Sequence, residues 1–170
     1  MKILALDLSS KCSGYAIVDN RRLIKWGCLK ATQSDPIARI KSITKQLDEV
    51  LTEHPNIYVV VMEEVRPESG QDAQFQRNQH TQKILMYVQA AVVFLVHEHA
   101  PSSKTEFYYP SEWRKINGIA QGRGIKREEQ KVNDINFVKT LFQIDVNDDE
   151  ADAIGIGVAY ANMHDKKRES

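Results

Sequence analysis

Four carboxylates of this chain stand where a charge is costly unless something compensates it. Asp7 closes the apolar run Ile3-Leu4-Ala5-Leu6 and is followed at once by Leu8. An apolar run without alternation suits a strand covered on both faces. Aspartate is depleted in strands, and an ion withdrawn from water is destabilising unless it is paired. A second run, Ile57 to Met62, ends in the same way, in Glu63-Glu64. Side chains alternate along a strand, so only one of Glu63 and Glu64 can share a face with a site there. Asp149 and Asp152 are three residues apart, which on a helix makes them neighbours with Cβ atoms about 5–6 Å apart. The residues after them (Ala151, Ile154, Gly155, Val158, Ala159, Ala161) are small or apolar, so this helix can approach a sheet closely and bring its acidic first turn along.

Each acid also has a plain structural reading. Asp7 can begin a turn, Glu63 can be a solvated strand end, and acids in a first helical turn are favoured by the helix dipole. Capping explains Asp152 least well, because it lies a turn in, among residues expected to be buried. Taken together, the four suit an all-oxygen site for Mg²⁺ or Mn²⁺, and no cysteine or histidine accompanies them at zinc-ligand spacing. Two such ions about 3.5–4 Å apart can activate a water and stabilise the leaving oxygen in phosphodiester hydrolysis. Without ions the four carboxylates would repel one another.

The elements that must position these acids can be read in order. Gly14 to Val18 and Leu23 to Lys30 are strand candidates joined through the turn signal Asp19-Asn20, which with the first strand predicts an antiparallel meander. Asp35-Pro36 is a helix start, with Asp35 as N-cap and Pro36 in the first helical position. Ile37, Ile40, Ile43, Leu47, Val50 and Leu51 follow at helical spacing, and His54-Pro55-Asn56 ends the helix. Ligands in open α/β sheets gather at the carboxyl ends of strands, so Asp7 and Glu63 share a site if their strands pair in parallel. Arg66 to Thr81 is polar and Gln-rich and reads as a loop leading into a helix that carries Ile84, Leu85, Val88, Ala91, Val92, Leu95 and Val96 through His99. So apolar a helix is a core element or an oligomer contact.

Thr105 to Tyr109 is the fifth strand, and Pro110 to Lys115 a short helical turn. Gly118, Gly122 and Gly124 mark a mobile loop. Between Arg114 and Lys131 the basic residues Arg114, Lys115, Arg123, Lys126, Arg127 and Lys131 face only Glu128 and Glu129. Such a loop suits phosphate contacts, although a solvated helix start explains it equally. Val132, Ile135, Val138, Leu141 and Phe142 predict an amphipathic helix, and Asn147 with Glu150 a capping box before the last one.

The composition bounds the class. The chain has 170 residues, 42% of them hydrophobic and 27% charged, which suits one soluble globular domain spanning 1–170. Its formal net charge is zero, so any attraction to nucleic acid must be local. No apolar run approaches the ~20 residues of a membrane span. Only Cys12 and Cys28 are present, and no secretion-signal pattern opens the sequence, so reduced thiols and a cytoplasmic setting are expected.

Asp7 with Ser10, Ser13 and Gly14, then Met62-Glu63-Glu64-Val65, then Asp149-Glu150-Ala151-Asp152-Ala153-Ile154, in that order and at those spacings, resemble the RuvC-type Holliday junction resolvases of the ribonuclease H-like superfamily. The resemblance covers almost the whole chain. It implies an α/β fold with a five-stranded mixed sheet flanked by helices, a homodimer, and paired nicks in four-way or branched DNA with divalent metal. Carried over by position, the catalytic and metal-binding acids are Asp7, Glu63, Asp149 and Asp152, with Glu64 as the alternate. Lys115 and Lys126 or Arg127 fall where the family sets lysines against the DNA backbone and scissile phosphate, with Arg114 beside them.

Some positions depart from the family. Leu8-Ser9 stands where Pro-Gly is common, and Arg66 where an aromatic commonly contacts junction bases; either Phe75 substitutes from the same loop or the sequence preference is weaker. The insert from Ile119 to Gly124 is long. These departures resemble phage-encoded members. The competing readings are an RNA-processing nuclease on the same fold, a kinase of the actin and sugar-kinase type, and a junction binder without catalysis. The kinase needs a second, duplicated domain for which 170 residues leave no room. Cleavage of junction DNA against structured RNA separates the first reading from a resolvase, and metal-dependent nicking excludes the last.

Overall fold

The apolar run around Leu4 forms the central strand, β1 (Lys2–Asp7), whose Leu4, Ala5 and Leu6 are wholly buried. The computed structural model describes residues 1–65, 73–122 and 124–165, except for the side chains of 73–78 and 165; Arg66 lies outside that description, and so does the side chain of Phe75. β2 (Cys12–Asp19) and β3 (Arg22–Lys30) complete the predicted meander, antiparallel throughout. Asn20 and Arg21 between them take φ of +46° and +63°, the left-handed pair that lets a two-residue hairpin turn follow the strand twist. β4 (Val59–Glu63) pairs with β1 in parallel, and β5 (Lys104–Tyr108) with β4, also in parallel. The sheet is therefore mixed and five-stranded, in the order β3-β2-β1-β4-β5.

Strand alternation sends side chains to two cores. Leu4, Leu6, Ile17, Val60 and Met62 pack on one face beneath α1 (Pro36–Glu53) and α2 (Ala73–His99). Ile3, Ala5, Ala16, Val18, Val59 and Val61 pack on the other, against α3 (Pro110–Ile116), α4 (Arg127–Phe142) and α5 (Asp148–Asp165). Helix starts follow their sequence signals. The Ala38 amide donates to Asp35 Oδ2 at 2.7 Å. At α5, Asn147 N–H donates to Glu150 Oε2 at 3.0 Å and Glu150 N–H to Asn147 Oδ1 at 2.9 Å, the reciprocal capping box.

Two helices differ from the pattern expected of them. α4 turns Asp134 and Val138 inward, whereas Val132 and Leu141 are about half exposed. The preference for Asp134 comes from a cation across the interface, which periodicity of apolar residues does not see. α2 buries Ile84, Val88, Val92 and Val96 but leaves Met86, Tyr87 and Phe94 exposed, Phe94 at 76%. Among the described residues, no helix is long and apolar enough to cross a membrane.

Candidate active site

β1 and β4 run in parallel with Leu6 opposite Met62, so the next residues, Asp7 and Glu63, end adjacent strands side by side. The turn after Asp7 is held by its own serines. Ser13 Oγ donates to Ser9 O at 2.7 Å and accepts from Ser9 N–H at 3.0 Å, while Ser9 Oγ accepts from Cys12 N–H at 3.0 Å. That turn returns the chain with Gly14 directly opposite Asp7. A Cβ on Gly14 would lie 1.9 Å from the Asp149 carbonyl oxygen, so only glycine lets the start of α5 settle on β2. The close approach brings Asp149 to Asp7, and Asp152 follows one turn along.

Electrostatics report the convergence. The Asp7 carboxyl is pushed up to about 8, first by burial, then by Glu63 and Asp149, with Arg114 pulling the other way. Asp152 is pushed up to about 9 by burial, Asp7 and Asp134, again against Arg114. Asp7 and Asp152 thus both feel the acids around them, as expected when like charges share a partly dry site.

Two residues that the sequence reading did not single out hold the acids in place. Trp113 is fully buried and donates its indole N–H to Glu63 Oε2 at 3.3 Å. Its ring lies where a Cβ on Gly155 would clash at 2.6 Å, so a second glycine of α5 seats it. Asp134, 1% exposed, receives both Nε and Nη2 of Arg114, at 3.0 and 2.9 Å. Arg114 in turn stacks over the Trp113 ring at 4.5 Å and brings Nη2 to 3.8 Å from Asp152 Oδ1. The signal for Asp134 was an acid one turn from Val138, on what became the buried stripe of α4.

The donors fit a hard divalent cation. They are all carboxylate oxygens, and Asp152 Oδ1 is buried without a hydrogen-bond partner, an arrangement that is costly unless something else compensates it. Glu63, Arg114, Arg127, Gln130, Lys131 and Asp152 line one cleft of about 450 Å³ with Pro110 and Ile125. Lys131 pairs with Asp148 beside it.

The structure therefore sets Glu63, Asp149 and Asp152 within electrostatic reach of Asp7. Glu63 points to Trp113, whereas Glu64 continues the strand edge, its N–H donating to Tyr108 O at 2.9 Å. Lys115, Lys126 and Arg127 are exposed. Arg114 is turned inward onto Asp134 rather than out to solvent. On the far side of Asp149 lie the two thiols, with Cys12 Sγ, Cys28 Sγ and an Asp149 oxygen within 4.8 Å of one another. Burial and that carboxylate push the Cys12 thiol well above its ordinary range.

A family model described as crossover junction endodeoxyribonuclease RuvC matches residues 3–160. Among solved structures, the fold is similar to Thermus thermophilus RuvC in complex with Holliday junction substrate, at 15% identity and a TM-score of 0.72, covering 98% of this chain and 96% of that one. It is similar to another Thermus thermophilus RuvC structure at 17% identity and TM-score 0.71, covering 98% and 97%. The yeast mitochondrial Holliday junction resolvase Ydc2 is similar at 14% identity and TM-score 0.58, covering 98% and 80%. No curated protein matches in sequence.

Proposed function

The chain belongs to the RuvC family of crossover junction endodeoxyribonucleases and is a junction-resolving nuclease; from that premise we propose that Asp7, Glu63, Asp149 and Asp152 carry its hydrolysis. Nucleases of this family depend on metal, and the ion proposed here is Mg²⁺, or Mn²⁺, at two per site. The supporting observation is that Glu63, Asp149 and Asp152 all lie within electrostatic reach of Asp7, and that a buried oxygen of Asp152 accepts no hydrogen bond. Bound there, two divalent ions would supply water activation and charge neutralisation at the phosphodiester.

The protein's own residues do the rest. Asp7, on the strand between β2 and β4, would help hold the ions together with Glu63 and Asp149. Trp113 orients Glu63, and Arg114, itself fixed by Asp134, keeps Asp152 turned toward Asp7 while offsetting part of the negative charge. Arg127 on the cleft, its chain neighbour Lys126 and the exposed Lys115 of α3 hold the DNA backbone as phosphate contacts do, by position and not by sequence. Arg66 and Phe75 are proposed to meet the junction itself. The exposed apolar face of α2, Met86, Tyr87 and Phe94, is proposed to pair two copies, so that opposing strands of one junction are cut together.

A synthetic mobile four-way junction, incubated with and without Mg²⁺ and mapped on each strand, tests the reading. Symmetric nicks in opposing strands that require Mg²⁺ and vanish in Asp152→Asn are expected, with structured RNA left intact. Nicking by Asp152→Asn at the normal rate, or preferred cleavage of the RNA, overturns it.

A further inference from the structure

Beside the hydrolytic carboxylates the sheet presents a second set of donors of different chemistry. In the β2–β3 register Cys12 pairs with Lys30 and Gly14 with Cys28. Cys12 and Gly14 share a face by alternation, so the two thiols are diagonal neighbours on it. It is the face onto which Gly14 admits the start of α5. There Cys12 Sγ, Cys28 Sγ and a carboxylate oxygen of Asp149 all lie within 4.8 Å of one another. In a tetrahedral zinc site with bonds of about 2.0–2.3 Å, donor atoms stand roughly 3.5–3.8 Å apart, so a small inward turn of these side chains suffices. Asn147 is adjacent, its Nδ2 3.4 Å from Cys28 Sγ, but its Oδ1 caps Glu150. Both cysteines are partly exposed, which leaves a fourth position and an entry path to water.

We propose that Cys12, Cys28 and Asp149 form a second cation site, for a borderline or soft divalent ion such as Zn²⁺ or Cd²⁺, and that filling it draws Asp149 away from the hydrolytic carboxylates. Thiolates select such ions over Mg²⁺, for which oxygen donors are preferred. Binding releases the two thiol protons to solvent, and no electron is transferred. Asp149 faces both sets, since its charge also acts on Asp7. Whichever cation holds it decides whether the hydrolytic set is complete. The inhibitory half of this inference rests on Asp149 serving hydrolysis; the binding half does not.

The test uses reduced, metal-free full-length protein titrated with Cd²⁺, read by thiolate-to-metal charge-transfer absorbance. Saturation at one ion per chain is expected, with the band lost in Cys12→Ser/Cys28→Ser. If that double variant fails to fold, Cys28→Ser alone is expected to weaken Cd²⁺ binding by about 10–100-fold or more, as loss of a ligand or of its immediate support does. In a second arm, one equivalent of Zn²⁺ in excess Mg²⁺ suppresses junction nicking by the wild type but not by the serine variant, whose basal nicking is normal. No stoichiometric band, or a band that survives both substitutions, overturns the site. A band with nicking unchanged by Zn²⁺ overturns the diversion of Asp149. A band in a protein that never nicks junctions supports the site and instead counts against the nuclease reading.

Discussion

Asp7 and Asp152 make opposite demands on the folded chain with and without metal. In the unfolded chain both lose their protons near the ordinary value of 3.8, but folded they keep them to about 8 and about 9. Between those limits the folded state binds more protons than the unfolded one, so unfolding free energy falls as pH rises. The metal-free protein is therefore expected to lose stability progressively from about pH 4 to about pH 9. Asp7→Asn removes one of the groups and relieves the other, since Asp7 is among the causes of the Asp152 shift. The variant should show a flatter pH profile, a higher melting temperature than the wild type at pH 9, and no nicking. Mg²⁺ should reverse the slope in the wild type, because it binds the ionised carboxylates, and should do little for the variant. Thermal melts at several pH values with and without Mg²⁺ check this; equal slopes for the wild type and Asp7→Asn would be the contrary result.

At the scale of elements, the site depends on how closely α5 can dock, and a single absent Cβ decides that. A methyl group on Gly14 meets a backbone carbonyl at 1.9 Å, which no rotamer change relieves, so the first turn of α5 must shift. Overpacking of this kind costs about 1–3 kcal/mol, and displacing catalytic groups by around 1 Å can cost about 100-fold in rate. Gly14→Ala is expected to show both losses in chemical denaturation and in junction nicking; normal behaviour in both would mean α5 is not what positions Asp149 and Asp152. The individual strands, the Asp35 cap and the Asn147–Glu150 box were legible in the sequence because each is written locally, in an apolar run or a pair of residues three apart, whereas the parallel β1–β4 pair stood only as a condition and the mixed sheet came from the family resemblance. The four acids were legible for the same reason, as charges at the ends of such runs. Trp113 and Asp134 were not. Trp113 gains its role from Glu63 and Gly155, and Asp134 from Arg114, all far off in sequence. Arg114 read as part of a basic loop because its partner sits on another helix, and the same distant pair rotated α4 so that Val132 and Leu141 face out.

For the whole molecule, one chain carries one set of carboxylates, whereas resolving a four-way junction requires a cut in each of two opposing strands. Two copies joined in a fixed orientation would meet that requirement, and the outward face of α2 is the surface proposed to join them. Met86, Tyr87 and Phe94 are 60%, 44% and 76% exposed, while Val88, Val92 and Val96 of the same helix already serve the core. Large exposed apolar side chains gathered on one helix face mark an interaction surface, and a twofold pairing of such a face is self-complementary. A charge placed there must be desolvated on pairing, at a cost that an isolated chain does not meet. Phe94→Glu is therefore expected to leave the fold and the melting temperature of the chain nearly unchanged, to shift sedimentation from dimer to monomer, and to replace paired nicks by slow, unlinked single nicks. On a supercoiled cruciform plasmid the two outcomes separate directly, because paired nicks within one binding event give linear DNA and single nicks give open circles. A Phe94→Glu protein that still sediments as a dimer and still linearises the plasmid would move the partner interface elsewhere on the molecule.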